Sequence, residues 1–212
     1  MGMPLPRLTA DSLRGAVLEM CDEAHRMLQS TRDAFLGIPG PGLDQVGTLG
    51  RDLHLREKRL TDHVAMQLRE YPWSLGSAEH LAFLPAALER VGDSVEALAR
   101  CIQSIHRDGI PFSERAVAEV RDFFDRALDL LGGVGAAIRS SDASTLTRIR
   151  TSGEDVQKLS DQATLAHQER LVQGECAPRA SSLFLSMLDS FREIERYTRR
   201  MSRDLEKAVT AG

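Results

Sequence analysis

Apolar residues recur every three or four positions through Leu81, Leu84, Leu88, Val91, Val95, Leu98, Ile102 and Ile105, and the same seam returns 103 residues later as Phe184, Met187, Phe191, Ile194, Thr198, Met201, Leu205 and Ala208. A period near 3.6 places such residues on one face of an α-helix, a face that must be buried against other helices. The same offset of 103 carries Leu13, Val17, Met20, Ala24, Met27, Thr31 and Ala34 onto Ala116, Val120, Phe123, Ala127, Leu130, Val134 and Ala137, and Leu53 onto Val156. One offset that serves three segments marks a tandem duplication of a three-helix unit.

The breaks between segments agree with this. Clusters of Gly, Pro and Ser fall at LGIPGPGLD (36–44), YPWSLGS (71–77), HRDGIPFS (106–113), RSSDAS (139–144) and QGECAPRASS (173–182), which divides the chain into six helical stretches without a convincing strand. Short connections make successive helices antiparallel neighbours. The expected fold is all-α: two tandem antiparallel three-helix bundles, residues 1–108 and 109–212, the second starting near Pro111.

With 212 residues, 42% of them hydrophobic, the chain can bury a sizeable core. A formal net charge of -4 removes any global positive field for nucleic acid or anionic lipid, so no nucleic-acid partner is expected. The three cysteines, Cys21, Cys101 and Cys176, are scattered without CxxC spacing, which fits a reducing compartment and buried structural thiols. No run approaches the roughly 20 apolar residues of a membrane span, and the first residues lack the pattern of a secretory leader. The expectation is a cytoplasmic protein that meets a membrane only through a partner.

One stretch breaks the apolar pattern. In LERVGDSVEAL, Glu89 and Asp93 lie one turn apart on one helical face, at the core's edge, with Gly92 between them. Gly costs a helix about 1 kcal/mol relative to Ala, so Gly92 predicts a close approach by a neighbour. An antiparallel second helix brings His54 and Glu57 opposite this pair. Three carboxylates and an imidazole suit iron, manganese, zinc or magnesium. The competing reading is a solvated acidic face neutralised by Arg56, Lys58, Arg59 and Arg90. In the second copy the equivalent positions are Gln157, Ser160, Arg192 and Arg196, so no metal is expected there. Arg192, Arg196, Arg199 and Arg203 instead form a stripe able to hold phosphate, an acidic partner or an anionic membrane surface, unless Asp189, Glu193, Glu195 and Asp204 neutralise it. GIPGPG (37–42) lacks the strand and Gly-Lys-Ser/Thr of a phosphate loop and is read as a connector. GGVG (132–135) is read as close helix packing, and Trp73 as a loop anchor or interface residue.

LERVGDSVEALA resembles the LERIGDHAxNIA stretch of PhoU domains, and HQERLVQGECAPRASSLFLSMLDSFREIERY (167–197) resembles the second-repeat stretch of the PhoU-like domains of bacterial sodium/phosphate cotransporters. The matching residues are His167, Glu169, Arg170, Leu171, Gly174, Glu175, Cys176, Pro178, Phe184, Leu185 and Leu188. This resemblance implies a helical regulator of phosphate uptake or phosphate signalling, often a homodimer, that binds a phosphate transporter or sensor kinase and is not an enzyme. It also implies that acidic positions on the second and third helices of a repeat bind iron, zinc or another divalent ion in some members. Carried over, these are His54 (where the family usually has Asp or Asn), Glu57, Glu89 and Asp93, while Ser94 stands where a histidine commonly follows. Two other function classes remain: a metal-binding protein or metal-dependent enzyme built on the same four residues, and a structural dimerisation module joining the acidic repeat of one copy to the basic repeat of another.

Overall fold

The computed structural model describes residues 7–40, 42–71, 75–140, 142–174 and 176–210, with the side chains of 76–78 and 208–210 outside that description. Trp73, Glu175 and the Ala208 side chain therefore lie outside the described residues. The helices are α1 (Ala10–Phe35), α2 (Gly42–Glu70), α3 (Leu84–Asp108), α4 (Glu114–Ser140), α5 (Ala143–Val172) and α6 (Pro178–Thr210), and no strand occurs among the described residues.

Local chemistry sets the helix ends. At the start of α1 a capping box closes: Ser12 N–H donates to Thr9 Oγ1 at 3.1 Å and Thr9 N–H to Ser12 Oγ at 2.8 Å. Asp142 caps α5 by accepting from the hydroxyls and the N–H groups of Ser144 and Thr145, and these bonds, the hydroxyl ones first, hold its carboxyl well below the usual range, at about 2. Gly109 ends α3 in the left-handed region at φ 58°, where a Cβ would be strained.

The expected third helix differs in its first part. Residues Gly76–Phe83 form a 3-10 helix before α3 begins at Leu84. Pro85 explains the break: it fits the first turn of a helix, but in the interior its ring would clash with the Leu81 carbonyl and its missing N–H would leave that carbonyl unbonded. The offset of 103 puts Leu188 at this place in the second copy, and α6 accordingly runs unbroken for 33 residues against 25 in α3. Leu81 is nonetheless buried from within the 3-10 turn, so the seam survives the change of helix type.

Within each triplet every helix packs on the other two. Across the triplets α1 packs on α4 and α3 on α6, which leaves α2 and α5 as the outer pair. Helices α1 and α4 run antiparallel: Arg14 donates to the Ile138 carbonyl at one end and Arg32 to Asp125 at the other. Both seams drain into one continuous core, and its centre is aromatic. Phe191 of α6 stacks on Phe123 at 5.4 Å and meets Phe124 edge-on at 4.9 Å, while Phe35 of α1 reaches Phe124 at 6.0 Å. Of the cysteines only Cys21 is buried, where burial pushes its thiol up to about 12; Cys101 and Cys176 are half-buried, a correction to the expectation that all three are core residues.

Candidate functional site

The acidic slot lies where α2 crosses α3. Gly92 lets the two helices touch: a Cβ built there would sit 2.6 Å from Leu53 Cδ2, so the glycine's cost to the helix is offset by the packing it admits. On the solvent side of this contact, His54 Nδ1 of α2 lies 3.2 Å from Glu89 Oε1 of α3. Glu89 is half-buried and His54 is exposed. Arg90 then folds back over its own helix, its guanidinium 3.7 Å from Glu89 and donating to Asp93 Oδ2 at 3.0 Å. Glu57 accepts from Thr61 on its own helix at 2.9 Å.

The structure thus joins His54 to Glu89 and gives Asp93 to Arg90. Among the described residues no three His, Cys, Asp or Glu side chains gather as a metal ion's donor set. As the side chains are held, Arg90 lies beside both Glu89 and Asp93 and supplies the positive charge that two neighbouring carboxylates demand. Arg56, a second expected counter-charge, turns the other way, onto α1, donating to Glu19 at 2.6 Å and pairing with buried Glu23 at 3.0 Å.

The second copy solves the same slot differently. Arg192, at the place of Glu89, reaches across to α5, where it donates to Thr164 Oγ1 at 2.9 Å and to the Ser160 carbonyl and Asp161 at 3.3 Å each. It also pairs with Asp189 at 2.9 Å. The rest of the arginine stripe is largely paired within α6. Arg196 bonds Glu193 and the Tyr197 hydroxyl, and Arg199 lies 2.9 Å from Glu195. Arg203 is exposed, and its charge pulls the Glu195 carboxyl down. Three of the four stripe arginines thus have a carboxylate partner on α6 itself, and Arg192 reaches α5 as well.

Glu195, expected as a surface partner of the arginines, is instead buried, and the repeat points to this. It stands at the place of Gly92, with Gly153 of α5 opposite at the place of Gly50, and a Cβ on Gly153 would sit 2.9 Å from Glu195 Oε1. The glycine has moved to the other helix, and a carboxylate only 1% exposed fills the space. Burial raises its pKa above the ordinary value, Arg199 and Arg203 partly oppose this, and Glu154 adds to it. The glycines of α4 act as expected, since a Cβ on Gly133 would sit 2.9 Å from Ile149 of α5.

Compared with solved structures, the chain superposes on PhoU from Pseudomonas aeruginosa with a TM-score of 0.83 over 95% of this chain and 97% of that one, at 18% identity. The chain has the PhoU fold. The phosphate transport system regulatory protein PhoU from Streptococcus pneumoniae aligns at a TM-score of 0.78 and 11% identity over 96% of each chain. A PhoU-like phosphate regulatory protein from Shewanella oneidensis aligns at 0.62 and 12% identity over 99% of this chain and 100% of that one. No protein-family model and no curated protein matches the sequence. On the PhoU fold of this chain, the slot between the second and third helix of each triplet keeps its position and packing while its charge inverts from Glu89 to Arg192.

Proposed function

We propose that this PhoU-fold chain is a regulator of phosphate transport or phosphate signalling that works by binding a phosphate transporter or sensor kinase, without catalysing a reaction. The observation that carries the reading is the fold itself, which matches PhoU over nearly the full length of both chains. The outer helices are suited to protein contact. Leu55 and Met66 of α2 and Leu165, Leu171 and Val172 of α5 place large apolar side chains in water, with Val172 87% exposed. No helix among the described residues is long and apolar enough to cross a membrane, and in this reading the chain meets a transporter peripherally. The acting unit in this reading is a cytoplasmic homodimer.

The metal-dependent alternatives gain no support from the slot, where Arg90 neutralises Glu89 and Asp93. A dimer held by acid-to-base complementarity gains little either, since Arg192, Arg196 and Arg199 already have partners within their own chain. Deleting the gene and measuring phosphate uptake and phosphate-responsive transcription, under replete and limiting phosphate, tests the proposal. The expected result is loss of the difference between the two conditions, restored by the intact gene. Unchanged uptake and unchanged transcription would overturn it.

A further inference from the structure

The open end of the second triplet holds a cavity that the acidic slot does not explain. It measures about 240 Å³ and lies between the start of α4, the end of α5 and the start of α6. Pro111, Ser113 and Ala177 form an exposed rim, and His167 and Phe184 form a buried floor. His167 is 3% exposed and lies flat on the Phe184 ring at 4.7 Å, with neither ring nitrogen bonded to a protein group. Burying a polar group without a partner costs about 1–3 kcal/mol.

The fold does not require this histidine. Its equivalent in the first triplet is Val64, 7% exposed and part of the core. There the chain itself crosses the end of the bundle. Leu8 N–H donates to Gln67 Oε1 at 2.7 Å, Gln67 Nε2 donates back to the Leu8 carbonyl at 2.9 Å, and Leu8 packs on the core. In the second triplet Pro111 stands in place of Leu8 and has no N–H to give, and Arg170 stands in place of Gln67. Arg170 turns to Glu119 instead, donating to both carboxylate oxygens at 3.1 and 2.9 Å. The plug is missing, and a polar ring replaces a valine at the bottom of the opening.

The chemistry of the walls narrows the occupant. Besides the Ser113 hydroxyl at the rim and the half-buried Cys176 thiol, the walls are the apolar Phe112, Ala116, Ala180 and Phe184, and no charged side chain lines them, so a charged ligand would lose its hydration without recovering it. Burial, and then the neighbouring Arg170 charge, lower the His167 pKa, which keeps the ring neutral with one donor and one acceptor. At about 30 Å³ per water the space equals about eight waters, room for a single small ring. We infer that this cavity binds a small, uncharged, mainly apolar organic molecule whose one hydroxyl or amide group hydrogen-bonds the His167 ring.

The test follows the ring resonances of His167 and Phe184 by NMR during titration with phenol, benzene and benzoate, Phe184 serving as the reporter where His167 is replaced. The expected result is saturable one-to-one binding of phenol with Kd below about 1 mM, with benzene and benzoate each about tenfold weaker. His167→Val copies the first triplet, and the variant is expected to fold and to bind phenol no better than benzene. Ala180→Phe fills the cavity and abolishes binding while leaving His167 in place. No saturable shift, shifts that persist in Ala180→Phe, or a phenol-soaked crystal with only waters on His167 would overturn the inference. Benzoate binding more tightly than phenol would overturn the assignment to an uncharged ligand.

Discussion

Replacing Arg192 by Ala should destabilise the protein far more than replacing Glu89 by Ala, although the two occupy the same place in the duplicated fold. Arg192 gives α5 two hydrogen bonds from a charged donor, to Thr164 Oγ1 at 2.9 Å and the Ser160 carbonyl at 3.3 Å. Such bonds contribute about 1.5–3 kcal/mol each when buried, and this side chain is 27% exposed, so solvent screening reduces them. Its ion pairs with Asp161 and Asp189 involve carboxylates that are 61% and 72% exposed and add little. The loss should total about 2 kcal/mol, a fall in Tm of roughly 4–8 °C for a chain of this size. Among the described residues Glu89 pairs with the exposed His54 and Arg90, and its removal should cost less than about 0.5 kcal/mol. Urea denaturation of the two variants beside the parent, with unchanged m-values, measures both. Equal costs, or a larger cost at Glu89, would refute the claim that the basic slot ties its two helices together more strongly than the acidic one.

Other consequences follow from individual residues. Gly92→Ala should lower stability by about 1–2 kcal/mol despite the helix-propensity gain, because its Cβ would press on buried Leu53, and Leu53→Val in the same chain should recover part of the loss in denaturation curves. Glu195 has a raised pKa in the folded protein, so the stability it contributes is fully present below the ordinary carboxylate value of 4.5 and is lost as pH rises through the native value. Glu195→Gln should therefore gain stability relative to the parent on going from about pH 4 to about pH 8, and a constant difference would show that Glu195 does not titrate in this way. Protein prepared with iron, manganese and zinc should carry no stoichiometric metal at the slot; one equivalent that disappears on Glu89→Ala with Asp93→Ala would restore the metal reading.

Much of the fold was legible because a duplicated sequence states its own constraints twice. The two seams, the five breaks and the close approach at Gly92 all follow from periodicity and from residues whose backbone demands are severe. The 3-10 segment before α3 was also within reach, since Pro85 faces Leu188 across the offset and only one of them tolerates a continuous helix. The charges were harder. That His54 meets Glu89 follows from antiparallel neighbours, but Arg56 turning to Glu19 and Glu23 does not, because spacing along one helix cannot say which flanking helix a long side chain will choose. The burial of His167 and Glu195 escaped for a different reason: each is a polar residue inside a seam where an apolar or small one would serve, and comparison with Val64 and Gly92 exposes it.

The central claim, that the chain regulates phosphate handling by binding a membrane-associated partner, is tested most directly by cross-linking in cells followed by purification of the tagged chain under replete and limiting phosphate. The account predicts that subunits of a phosphate transporter or a sensor kinase co-purify and that their amount changes with phosphate supply. Recovery of neither at either phosphate level, from cells in which the tagged chain restores the deletion, would contradict it.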